Sequence, residues 1–395
     1  MKFNKWTVAL AAIGVVSLAS AARADEQPMQ MNAVNTALSS TTLSGYVDVA
    51  ASWRPGTDQN ASNYPFPNIP RYSYAQNDGF HFNAVDIALD HPEDASPWAA
   101  GYHVEMMFGP DNPVGGYGYA NGVCSIRQAY VTLRMPVGNG IDWKIGVWDP
   151  IIGYESNSDP LNPNYTRSYG YSSEPVEHTG ILATYKVNDM LSVSAGIANS
   201  WSETFFLIPT APVYESQKTY MGAMTFTAPD SAGFMNGATL TLGFVNAIDS
   251  ATGFYGGSQS SFYAGATLPT PVKALKLGMA FDWHDLHNSG GGNSSDDSVW
   301  VLGLYSSYQA TDKLSFNLRG EYMGDNGAGP YGSAAEEFTA TAQYNLWANV
   351  ISRLEFRWDH VEHGNFFGAS SGTFSNGFPN RGNDFLLALN VIYQF

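Results

Sequence analysis

The stretch DFLLALNVIYQF, residues 384–395, decides how the rest of the chain is read. Phe385, Leu387, Leu389, Val391, Tyr393 and Phe395 recur at period two, while Ala388, Asn390 and Gln394 interrupt the opposite face. That is a strand with one face suited to oil. An exposed, aromatic-ended apolar strand has little use in water. The closing strand of a membrane barrel needs a lipid-facing band with an aromatic at the interface, and Tyr393 and Phe395 are read as its C-terminal assembly signal.

The same alternation recurs upstream. GYVDVAASWR, residues 45–54, sets Val47, Val49, Ala51 and Trp53 against Asp48, Ala50, Ser52 and Arg54. Residues 79–90 form a second strand whose apolar phase slips between Phe82 and Val85, as a bulge would make it do. Residues 97–108 place Trp98, Ala100, Tyr102, Val104, Met106 and Phe108 on one face and His103 and Glu105 on the other. Continued to the end, the pattern predicts about sixteen strands. Short turns alternate with longer Gly/Asn/Ser/Pro-rich connectors, including 55–78, 149–178, 248–260 and 287–297. The fold class is therefore all-β, a transmembrane antiparallel barrel with periplasmic turns and longer external loops.

Composition agrees. Charged residues make up 13% of the chain and aromatics 14%, with 40 glycines, a balance unlike that of an acidic disordered chain. Lys2 and Lys5 precede an apolar run from Trp6 to Leu18, and Ala22, Arg23 and Ala24 offer a cleavage site, so residues 1–24 read as a signal peptide. Residues 25–43 then form a periplasmic linker and 44–395 the barrel. The formal charge of −17 becomes about −20 once Lys2, Lys5 and Arg23 are removed, which argues against nucleic acid. The sole cysteine, Cys124, has no intramolecular disulfide partner.

The longest connector, residues 149–178, carries Asp149, Glu155, Asp159, Glu174 and Glu177 against the single cation Arg167, with Tyr154, Tyr165, Tyr169 and Tyr171 available for packing. It is expected to fold inward as an acidic pore constriction. An external, solvated loop is the alternative. Late strands supply inward charges: Arg353, Glu355, Arg357 and Asp359 oppose Leu354, Phe356 and Trp358, and Arg319 and Glu321 join Asn317. An arginine facing lipid at the bilayer midplane costs about 2–4 kcal/mol, so these line water. They serve either as a basic wall opposite the acidic loop or as an ion-pair ladder that stiffens the sheet.

Other constellations are weaker. His284 and His287, like His360 and His363, are three apart and point to opposite faces of a strand, so no metal is assigned. The glycines at 115, 116 and 118 precede no helix and do not form a phosphate cradle. No cofactor is expected and no catalytic set can be assembled.

Residues 140–201, together with Arg127, Gln128, Ala129, Tyr130 and Val131, resemble the OmpL-like β-barrel porin family. The likeness is carried by Pro150 to Glu155, by Tyr165 to Tyr169, by His178, Thr179 and Gly180, and by the opening Gly45 to Asp48. The resemblance implies an outer-membrane channel of a Gram-negative bacterium passing small hydrophilic solutes and ions. Its expected partners are membrane lipid, lipopolysaccharide, the barrel-assembly machinery and the solutes; association into a homo-oligomer is left open. An outer-membrane enzyme using His284 or His360, and a non-conducting adhesin, are the competing readings.

Overall fold

The computed structural model describes residues 41–55, 78–112, 125–202, 218–252, 255–288, 296–326, 333–364, 367 and 381–395. The signal-peptide reading, Cys124 and the glycines at 115–118 lie outside them. Sixteen strands follow one another: β1 (Thr42–Trp53), β2 (Gly79–His91), β3 (Ala100–Phe108), β4 (Ser125–Met135), β5 (Ile141–Trp148), β6 (His178–Lys186), β7 (Leu191–Ala198), β8 (Thr219–Thr227), β9 (Thr239–Thr252), β10 (Tyr255–Pro269), β11 (Leu275–Asn288), β12 (Asp296–Gln309), β13 (Leu314–Asn326), β14 (Ala335–Trp347), β15 (Val350–Val361) and β16 (Asn383–Gln394). Every strand pairs antiparallel with its neighbours in sequence, and β1 pairs with β16 to close the barrel. Strands spaced about 4.8 Å apart and tilted about 40° give a cylinder roughly 32 Å across at the backbone.

The seam shows why the last strand belongs there. Val49 faces Val391, Ala51 faces Leu389 and Trp53 faces Leu387, so the apolar residues of both strands share one face. Arg54 fastens the same seam from the other face, with its Nε 3.0 Å from Asp384 Oδ2. Leu387, Leu389, Val391 and Tyr393 are exposed, as are Leu354 and Phe356 on β15 and Phe316 and Leu318 on β13. The alternate residues, including Arg319, Arg353, Glu355, Arg357 and Asp384, are buried on the inner face. Period two thus sorts oil from charge across a single layer.

The β2 bulge is present: Asp48 pairs with Ala84 and Val49 with Phe82, leaving Asn83 as the extra residue. Other boundaries differ from expectation. β3 starts at Ala100, not at residue 97, because Asp94 Oδ1 accepts the Ser96 N–H at 2.8 Å and Trp98 takes a left-handed backbone (φ 62°), ending the turn late. β9 and β10 run to Thr252 and from Tyr255, so only 253–254 separate them where a longer loop was expected. β11 and β12 overhang in the same way. Beyond the lipid belt a strand no longer needs apolar side chains, so ladder pairing continues after the periodic signal has stopped. Among the described residues no helix is long and apolar enough to cross a membrane.

Candidate functional site, a loop across the bore

The segment 149–177 leaves the sheet after β5 and returns at β6. It contains a 3-10 turn (Asp159–Leu161) and one short helix, α1 (Tyr169–Ser173). Ser168 caps α1, its Oγ accepting the Tyr171 N–H at 2.9 Å. Most of the segment's side chains are buried. A loop can bury its backbone only if partners satisfy each N–H and C=O, and here the barrel wall supplies them.

On β13–β15 acids receive the loop's N–H groups and arginines reach its carbonyls. Glu355 Oε2 accepts the Tyr165 N–H at 2.5 Å, and its Oε1 accepts the Thr166 N–H at 2.9 Å and the Thr166 hydroxyl at 2.6 Å. Glu321 accepts the Tyr169 and Gly170 N–H groups at 2.7 and 3.2 Å. Arg353 donates to the Asn162 carbonyl at 2.5 Å, Arg357 to the Arg167 carbonyl at 2.6 Å and Arg319 to the Thr166 carbonyl at 2.7 Å. Asn317 reaches the Pro163 carbonyl at 3.0 Å. β13 stands eight strands from β5 in a ring of sixteen, so the loop starts at one wall and is bound at the opposite one.

Ion pairs reinforce the contact. Glu155 Oε1 lies 2.7 Å from Arg319 Nη1, whose Nε is also 3.0 Å from Glu337. Arg357 pairs with Asp359 at 2.7 Å, and Asp359 also accepts the Tyr169 hydroxyl at 2.7 Å. Asp159 pairs with Arg167 within the loop at 2.6 Å. Asp149 holds the loop's root, accepting from Arg127 at 2.5 Å and from Asn157 at 2.8 Å. The wall charges therefore do two things at once. They pair along the sheet, as a ladder would, and they bind the loop directly; the loop and β13–β15 are in contact, not separated by a gap.

The start of the loop uses the hydrophobic effect. Ile151, Ile152 and Tyr154 join Leu182 of β6, Met221 of β8, Val245 of β9, Tyr263 of β10, Ala280 of β11 and Tyr305 of β12 in one buried cluster. Tyr154 stacks on Tyr305 with ring centroids 4.2 Å apart. Two inner-face glycines make room: a Cβ on Gly243 would sit 2.5 Å from Ile152 Cγ2, and one on Gly278 would sit 1.9 Å from the Tyr154 hydroxyl. Glu174 is buried against Asp282, and burial, with that second carboxylate beside it, holds the Glu174 carboxyl well above the ordinary range. Glu177 is buried at the return to β6.

Of the histidines, His284 stacks on Trp201 at 4.3 Å, and His360 stacks on Trp358 at 5.9 Å while its Nδ1 lies 3.0 Å from Asn383. Sequence reasoning placed Asp48 and Glu105 on the polar face without assigning them to the site, and it did not single out Asn83, Asp111, Asp282 or Glu337, all of them buried. Isolated polar residues at inward positions of otherwise apolar strands were the available signal.

The family model described as "Putative beta-barrel porin-2, OmpL-like" matches residues 40–395. Among solved structures, the anion-selective porin from Comamonas acidovorans aligns with a TM-score of 0.59 and 14% identity, covering 90% of this chain and 99% of that one. The outer membrane channel DcaP of Acinetobacter baumannii gives 0.59 and 11% over 90% and 97%. A trimer form of OmpT, an outer membrane protein of Vibrio cholerae, gives 0.58 and 10% over 90% and 99%. No curated protein sequence matches. At these identities the solved structures speak to the fold alone, and the family match across the whole barrel carries the assignment: the chain belongs to the OmpL-like β-barrel porin-2 family.

Proposed function

We propose that this protein is an outer-membrane channel through which small hydrophilic solutes and ions diffuse passively, with residues 149–177 as a fixed constriction. The supporting observation is that this segment leaves the barrel between β5 and β6 and is hydrogen-bonded to Arg319, Glu321, Arg353, Glu355 and Arg357 on the far wall. A loop held at both ends divides a bore into narrow passages and rejects large solutes by width. The wall arginines position the loop; they are not free charges presented to a passing ion. Residues 1–24 serve as the export signal, short turns face the periplasm, and the exposed apolar face meets lipid. The reading requires no cofactor and no catalytic residue. The trimer form of one structural relative supports self-association, which crosslinking in native membranes measures.

Planar-bilayer recording tests the proposal. The expected result is a small, stable conductance that rises when residues 156–173 are replaced by a short Gly/Ser link. Absence of current from both proteins, and of sugar uptake in liposome swelling, refutes it.

A further inference from the structure

We propose a calcium site at Asp48 of β1, Asp111 after β3 and Asp159 of the loop, which would clasp the loop to the wall. One carboxylate oxygen from each residue lies within 4.8 Å of the other two, and all three side chains are at most 2% exposed. Calcium, with bonds of about 2.3–2.6 Å to oxygen, spans that separation; magnesium, with bonds of about 2.0–2.1 Å, reaches only about 4.2 Å across.

A second observation points to a cation. Asp159 spends Oδ1 on Arg167 at 2.6 Å, while its Oδ2 is buried and accepts no hydrogen bond. A buried carboxylate oxygen without a partner is costly unless a cation or proton meets it. The surroundings are polar: Asn83 and Asn390 both donate to Asp48 Oδ1, at 2.8 and 2.5 Å. The cations packed around the group are Arg167, on Asp159, and Arg353, which donates to the Asp159 and Asn162 carbonyls. The buried side chains among the described residues include fourteen carboxylates and seven Lys or Arg, so acids outnumber bases in this interior. A hard divalent ion with oxygen ligands from three separate segments answers both that excess and the orphaned oxygen of Asp159. The site stands on the fold alone and holds whether or not the barrel conducts.

The test uses the mature chain refolded in detergent free of lipopolysaccharide, with Tb³⁺ as the probe. Tyr46, whose hydroxyl accepts the Asp159 N–H at 3.3 Å, is placed to sensitise its emission. The expected result is one sensitised Tb³⁺ per chain, displaced by Ca²⁺ at concentrations at least tenfold below those of Mg²⁺, and lost in the near-isosteric double variant Asp48→Asn, Asp111→Asn. Chelation of the wild type should speed hydrogen exchange at residues 157–165 at least tenfold. Absence of sensitised emission from the wild type overturns the site, as does emission retained in the double variant. If that variant does not fold, the wild-type chelation result decides: exchange unchanged by chelator means that protons, not calcium, hold the cluster.

Discussion

Glu355→Gln separates a wall that binds the loop backbone from a wall that merely pairs with itself. In the native protein both Glu355 oxygens are used twice: Oε2 by the Tyr165 N–H and the Thr341 hydroxyl, Oε1 by the Thr166 N–H and hydroxyl. Glutamine keeps one acceptor and puts an NH₂ in place of the other, so one backbone N–H of the loop meets a donor or nothing. Losing a charge-assisted bond costs about 1.5–3 kcal/mol, and leaving a buried N–H unpaired costs about 1–3 kcal/mol more. The sum, roughly 2.5–6 kcal/mol, falls on the loop and not on the β-ladder. At about 1.4 kcal/mol per decade, the lower figure raises the open population roughly 60-fold. Hydrogen exchange at Tyr165 and Thr166 reads that change directly, and single-channel recording shows it as current noise. Exchange within about threefold of wild type, with a quiet current, would refute backbone recognition and leave Glu355 as one rung of an ion-pair ladder.

Arg319→Met should destabilise the protein by about 3–5 kcal/mol, because Glu155 and Glu337 lose their shared buried cation; adding Glu155→Gln should recover part of the loss, and strict additivity in denaturant unfolding would show that the pair is not coupled. Gly278→Ala pushes a methyl into the Tyr154 hydroxyl and should cost about 1–3 kcal/mol, relieved by Tyr154→Leu in the same chain. The raised pKa of Glu174 means that the folded protein keeps a proton the unfolded chain has released, so stability falls as pH rises above the ordinary glutamate value of about 4.3 toward the raised one. Glu174→Gln should flatten that fall between pH 5 and 8, measured as urea midpoints. Leu389→Lys, at the middle of β16 on the lipid face, should cost about 2–4 kcal/mol in folding into vesicles, whereas a change near zero would remove lipid from that face.

The barrel was legible because lipid imposes a rule on every strand: period two with charge on one side only. That rule shows in Leu354, Phe356 and Trp358 alternating with Arg353, Glu355 and Arg357, and it located the inner wall residue by residue. Strand ends were not legible, since above the lipid the ladder of β9–β10 runs on through Ser250, Ala251 and Thr252 with no apolar requirement to betray it. The partners of the wall were hidden for a different reason. Glu321, Glu355 and Arg353 bind peptide groups, which every residue possesses, so no side-chain pattern marks Tyr165 or Asn162 as their targets. The clue that remained was glycine: Gly243 on β9 and Gly278 on β11 occupy inward positions where a side chain would be expected to line the bore, and their empty places receive Ile152 and Tyr154.

The two attachments of the loop follow different physics, and the difference bears on what the loop can do. Its first part is held by non-directional packing among Ile151, Ile152, Tyr154 and the apolar patch on β6–β12, an interaction that tolerates small sliding. Its second part is held by directional bonds, many of them ionic, on β13–β15. Well-packed apolar groups would have held that end at least as tightly, since desolvation offsets most of the gain from a buried ion pair. What the charges add is position: Glu355 and Arg319 each satisfy two consecutive residues of the loop, and a shift by one residue would strand buried N–H and C=O groups on both sides. The channel proposed above, whose width would have to stay fixed while solutes press on it, needs that kind of restraint at the end of the loop that reaches farthest from its root.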